Sequence, residues 1–184
     1  MGPLRRLLAR LSGTWQLPEG FPGALAEDEN VLAVAEVRGG GHLVATTLGL
    51  WLPEGGTVRR VGWHLVSKAT WGGGALAVVE ADEVEELGEA GDAVLLADRP
   101  ARRFALPDPG RVPEVVHARV TGSIRSRHRQ ELPGGGAWFV QRRVPGRDGV
   151  VLQVRPDPGA DRVVVVSTAA EVAERLRQLR EFGP

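Results

Sequence analysis

Between Val31 and Leu106 the chain is a nearly unbroken series of short β-type runs cut by Gly and Pro turns, and from Val163 it closes with a strand leading into a capped amphipathic helix. Runs this short, at this spacing, pair antiparallel with their neighbours. The order predicts a β-rich α+β fold, an antiparallel barrel or roll closed by an α-helix, with an additional β-hairpin and a C-terminal amphipathic helix. A scaffold of that kind is a platform for binding and does not by itself name a ligand.

The 184 residues suffice to bury roughly 70% of the surface the unfolded chain exposes, so one core forms without metal or disulfide staples. There is no Cys, which removes disulfides, thiolate metal sites and a cysteine nucleophile together. No apolar run approaches the roughly 20 residues of a membrane span, and Met1 to Trp15 lacks the pattern of a secretory leader; a cytoplasmic protein is expected. Of 23 basic residues only Lys68 is lysine, a bias that fits a GC-rich genome better than selection for phosphate. The net charge of zero conceals two opposed halves. Residues 1–98 carry 14 acidic and 7 basic side chains, and residues 99–184 carry 9 and 16, so the halves can neutralise each other within one fold.

Leu4, Leu7, Leu8 and Leu11 recur at helical spacing with Arg5, Arg6 and Arg10 beside them, so residues 1–24 read as an amphipathic helix plus a Pro/Gly linker. That helix would dock on the body of the chain or on a second copy in a homodimer, with an anionic membrane surface as the less favoured alternative. Residues 25–184 read as a single domain, the barrel at about 31–122 and a hairpin–helix extension at about 123–182. Strands are expected at Val31–Arg38, His42–Leu52, Thr57–Trp63, Leu65–Trp71, Ala75–Val79, Ala93–Ala97 and Ala101–Leu106, with the acidic run from Glu80 to Glu89 as a solvated loop or short helix. A helix is expected from about Pro113 to Thr121. Strands Gly122–Leu132 and Ala137–Val144 flank the turn Pro133–Gly136, and strands Val150–Arg155 and Arg162–Ser167 follow. Thr168 and Glu171 have capping-box spacing, and Ala169, Val172, Ala173, Leu176 and Leu179 form the apolar face of the last helix.

From Val31 to Trp71 the text VLAVAEVRGGGHLVATTLGLWLPEGGTVRRVGWHLVSKATW resembles bacterial proteins with a pleckstrin-homology-like (PH-like) fold. The resemblance covers residues 25–122. It implies a seven-stranded barrel closed by the helix near Pro113, acting in binding or scaffolding without catalysis. A second registration also fits, with the C-terminal helix as the plug and 80–135 as an insertion. Phosphoinositide-binding members resemble one another in a Lys/Arg cluster on the first two strands; here Arg38 and His42 stand alone between Val31 and Leu52, so headgroup binding is not carried over.

The chain offers little for catalysis. His42, His64, His117 and His128 are scattered singly, no Gly-rich segment matches a phosphate loop, and Ser67, Ser123, Ser126 and Ser167 lie in no nucleophile elbow. Neither a metal nor a cofactor is expected. Glu80 with Asp82, and Asp98 near Arg99, are the only acid/base pairs to weigh. The candidate binding residues sit on the hairpin. Alternation puts Arg125, Arg127 and Arg129 on one side; a symmetric turn with Leu132 opposite Ala137 would set Arg127 against Arg142 and Trp138 opposite Glu131. Like charges face to face call for an acidic partner, and Trp138 could stack on a base or guanidinium. The expectation is a non-enzymatic interaction or regulatory module with a protein partner. Its alternatives are an anion- or nucleic-acid-binding protein using that face, and a small enzyme. Charges on an edge strand also serve simply to prevent aggregation.

Overall fold

The computed structural model describes residues 15–87, 93–146 and 149–182. The amphipathic helix expected at the N-terminus lies outside them. The chain is α+β and strand-rich, and it divides into two compact units: one holds the residues up to Glu80 with Pro100–Gly122, the other Ala81–Arg99 with the residues from Ser123 on. The division falls after Glu80, after Arg99 and after Gly122, so residues 81–99 belong to the second unit. No helix among the described residues is long and apolar enough to cross a membrane.

In the first unit, β1 (Val31–Glu36), β2 (His42–Thr46), β3 (Gly49–Glu54) and β4 (Thr57–Gly62) form an antiparallel meander in chain order. The single strand expected over His42–Leu52 breaks at Thr46 for a local reason. The Thr46 hydroxyl accepts from the backbone N–H groups of Leu48 (3.3 Å) and Gly49 (3.1 Å), so it folds the chain back where a ladder would continue. Gly49 is required there, since a Cβ would lie 2.4 Å from the Val61 carbonyl oxygen on β4. A 3-10 turn at Trp63–Leu65 leads to β5 (Val66–Gly72), which pairs with the first half of β6 (Ala75–Leu87); β8 (Arg102–Ala105) pairs with β6 on its other side.

Helix α1 (Val112–Ser123) closes this unit's sequence. Pro113 sits in its first turn, where a missing N–H costs nothing, and Val112, Val116 and Val120 recur every four residues to make one buried stripe. That stripe joins Leu43, Leu50, Leu52, Trp63, Leu76 and Phe104 in a continuous core. Each fully buried aliphatic side chain there contributes about 1.5–3 kcal/mol, which outweighs the weak helix propensity of valine.

In the second unit a five-stranded mixed sheet runs in the order β6 (its half from Ala81), β7 (Ala93–Asp98), β11 (Val150–Pro156), β10 (Gly135–Arg143), β9 (Ile124–Leu132). Only β7 and β11 are parallel. The acidic run is therefore not a loop or helix. Up to Leu87 it is strand, with an irregularity between Glu83 and Glu85, and Glu89 lies outside the described residues. Helix α2 (Arg162–Phe182) packs on the sheet through Val165, Ala169 and Ala173.

The expected strand Arg162–Ser167 is also overturned, because the four valines lie in the opening of α2. The Asp161 carboxylate accepts from the backbone N–H groups of Val163 (2.9 Å) and Val164 (3.3 Å) and starts the helix seven residues before Thr168, which is consequently interior and caps nothing. β-branched residues are tolerated because Val165 is buried on the sheet while Val163 points to solvent.

A candidate partner-binding edge in the second unit

The hairpin β9–β10 turns on Pro133 and Gly134, not on four residues. Gly134 has φ of 78°, and Pro-Gly at the two central positions suits such a turn. The turn is fastened to the linker before α2, since Asp161 N–H donates to the Pro133 carbonyl (3.0 Å) and Asp157 N–H to the Gly136 carbonyl (2.8 Å). Leu132 consequently pairs with Gly135, two residues away from the symmetric register. Arg127 faces Val140 and Trp138 faces Arg129; the expected pairs Arg127 with Arg142 and Trp138 with Glu131 do not form.

The five candidate residues fall in three places. Arg127, Arg129 and Trp138 share one face of the sheet, as a two-residue shift preserves which side each side chain takes. Arg129 is occupied, donating to the Asp157 carboxylate at 2.5 Å and pairing with Glu131. Arg127 makes no ion pair with a described residue, and Trp138 is 38% exposed. Arg142 is on the same face but buried, with Nη1 donating to the Ser123 hydroxyl at 3.2 Å. Burial above all, then the neighbouring Arg155 charge, push its guanidinium down to about 10 against the pull of Asp98. Burial lowers Arg155 as well, opposed by Asp98 at 3.2 Å. Arg142 is thus not part of an exposed binding surface.

Arg125 is displaced by a bulge. Ser126 pairs with Gln141 and Ile124 with Arg142, so Arg125 is the extra residue, and it turns to the opposite side from Arg127. There it lines a groove of about 250 Å3 with Gln141, Leu152, Ala173, Leu176 and Leu179. Sequence reasoning missed this groove, because a bulge leaves no mark in the alternation of charges.

What unites the exposed arginines is the edge. β9 pairs only with β10 among the described strands, and Arg125 through Arg129 are exposed without interruption. From Ser123 to Val144 five arginines stand against one glutamate.

The acid/base pairs weighed for catalysis are engaged elsewhere. Glu80 is buried between Arg59 (2.7 Å) and Arg102 (3.4 Å), both also near Glu54, and Asp82 is held bidentately by Arg99 (2.8 Å to each oxygen from Nε). Among the described residues no three His, Asp or Glu side chains are grouped to hold a metal ion. The first unit has a concavity of about 700 Å3 between the β1–β2 and β3–β4 turns, whose charged lining mixes Arg38 and His42 with Glu19 and Glu54. Compared with known proteins, the chain matches no protein-family model, no curated protein and no solved structure.

Proposed function

We propose that this protein is a non-enzymatic cytoplasmic interaction module of PH-like build, whose working surface is the β9 edge and whose partner is an acidic, extended polypeptide segment. The PH-like part of the reading is supported by the first unit's sequence of a four-stranded meander, three further strand segments and a helix whose valine stripe enters the core. Its concavity, with one arginine against two glutamates, gives no reason to add lipid headgroups.

The observation that carries the partner is the outer edge of β9, nine residues long, basic and unpaired among the described strands. An exposed edge offers a row of backbone donors and acceptors that an incoming strand can use, while side chains decide which strand is admitted. Two β9 edges brought together would set arginine against arginine, which disfavours a second copy at this edge. The same charges that prevent self-pairing admit a strand of aspartates and glutamates.

The test is titration of the full chain with a fluorescein-labelled decapeptide alternating glutamate and valine, its lysine–valine counterpart, and a single-stranded DNA decamer, using wild type and Arg127→Glu. Selective binding of the acidic peptide, weakened about tenfold or more by the charge reversal, supports the reading. Preference for DNA, with affinity falling steeply in log salt, would replace it with the nucleic-acid alternative; binding indifferent to Arg127→Glu would overturn it.

A further inference from the structure

The groove on the helix side of the second unit is built differently from the edge. Its floor and far wall are Leu152, Ala173, Leu176 and Leu179; Leu179 is a wide-open apolar lip, 66% exposed. Its described polar members are Arg125 and the Gln141 carboxamide, neither of which bonds to any described residue through its side chain, and none of the described lining residues carries a carboxylate. Arg143, two residues along β10 from Gln141 and exposed, adds a second positive charge to the same side of the sheet.

The volume of about 250 Å3 corresponds to roughly eight waters at about 30 Å3 each. That accommodates one branched apolar side chain together with a carboxylate. A guanidinium matches a carboxylate in charge and in its forked geometry. A carboxamide beside it supplies both a donor and an acceptor, as a peptide group requires and a simple fatty acid does not. We infer that this groove captures the C-terminal residue of a polypeptide partner ending in a leucine-sized side chain, with Arg125 on the terminal carboxylate, Gln141 on the last peptide group and Leu176 and Leu179 around the side chain. The bulge in β9 is what creates the site, because a regular strand would put Arg125 on the other face with Arg127. The inference does not depend on strand pairing at the β9 edge.

The experiment is an NMR titration of the full-length 15N-labelled chain with two acetylated hexapeptides of glycine and serine ending in leucine, one with a free carboxylate and one amidated. Wild type, Arg125→Gln and Leu179→Asn are compared; both positions are exposed, so the fold should tolerate the changes. The acid is expected to shift the Gln141 side-chain and Val150 amide signals and to bind about tenfold tighter than the amide, the worth of one charge-assisted hydrogen bond. Arg125→Gln should abolish that preference while leaving amide binding as it was, and Leu179→Asn should weaken both peptides. Equal binding of acid and amide, a preference that survives Arg125→Gln, or no binding of either at millimolar concentration would overturn the inference. So would displacement by 4-methylpentanoate at an affinity equal to the peptide's, which would make this a small-acid pocket. The acidic decapeptide, amidated at its C-terminus, tests the edge separately.

Discussion

Glu29 closes the segment before β1 onto the first unit, and its removal should be measurable. Its carboxylate is fully buried, accepting from Thr46 Oγ1 (2.5 Å), Trp51 Nε1 (2.9 Å) and the Ala26 N–H (3.0 Å), and it is paired with Arg60, whose guanidinium lies over the Trp51 ring. Burial alone would raise this carboxyl; the bonds from Thr46, Ala26 and Trp51, with the Arg60 charge, outweigh it and hold the group below its ordinary value of 4.5. Glu29→Gln keeps one oxygen for Thr46 and Trp51 but turns an NH2 group toward the Ala26 N–H and Arg60, setting donors against donors. Losing charge-assisted bonds of this kind costs about 2 kcal/mol. With a urea dependence of about 2 kcal/mol per molar, the unfolding midpoint of the first unit should fall by about 1 M at pH 7.

The pH dependence gives a second reading of the same group. A carboxyl whose pKa is lower folded than unfolded adds stability that is complete above the unfolded value and is lost as pH falls from there through the folded one. The gap between wild type and Glu29→Gln should therefore be constant from pH 7 to about 5 and narrow below about 4.5. Urea titrations followed by tryptophan fluorescence at pH 7.0, 5.5 and 3.5 measure it. Equal midpoints at pH 7, or a gap no narrower at pH 3.5, would refute the assignment of Glu29 as a buried, bonded carboxylate.

Gly49→Ala should lower thermal stability by more than about 2 kcal/mol, since the added carbon meets a backbone carbonyl that cannot rotate away; calorimetry decides. Asp161→Ala should cost about 1 kcal/mol through loss of the α2 cap, whereas Thr168→Ala should be close to neutral. Urea midpoints in the opposite order would return the helix start to Thr168. Val116→Ala should cost about 1.5–3 kcal/mol by emptying the middle of the α1 stripe, and an unchanged midpoint would remove that helix from the core.

Which of these features the sequence discloses follows from the range of the forces involved. Turns made by Gly and Pro are local, so β1, β4, β7 and the hairpin turns fall close to where the punctuation puts them. The valines of α1 are readable as a helix because Val112, Val116 and Val120 keep a four-residue spacing in the text itself. Val163 to Val166 hold no such spacing, and their state depends on the Asp161 cap and on the sheet beneath Val165. Four adjacent valines favour a strand until packing is known. Likewise the break at Thr46 depends on a hydroxyl finding two backbone donors, which strand propensity does not register.

The candidate site divides along the same line. Strand parity is a local property, and it correctly sets Arg127, Arg129 and Trp138 on one face even though the register is off by two. Neighbours across the ladder depend on how many residues the turn uses, and Pro133-Gly134-Gly135-Gly136 allows more than one answer. The fastening of that turn to Asp157 and Asp161, more than twenty residues onward, selects the tighter one. Once the turn is fixed, the extra residue at Arg125 must be absorbed before Ile124 meets Arg142, and this carries one arginine to the helix side while its neighbours keep the edge. The second unit therefore presents two chemically distinct surfaces from one run of alternating arginines. A variant that deletes Arg125 to regularise β9 should remove the groove's cation while preserving the basic edge, which separates the two surfaces in a single molecule.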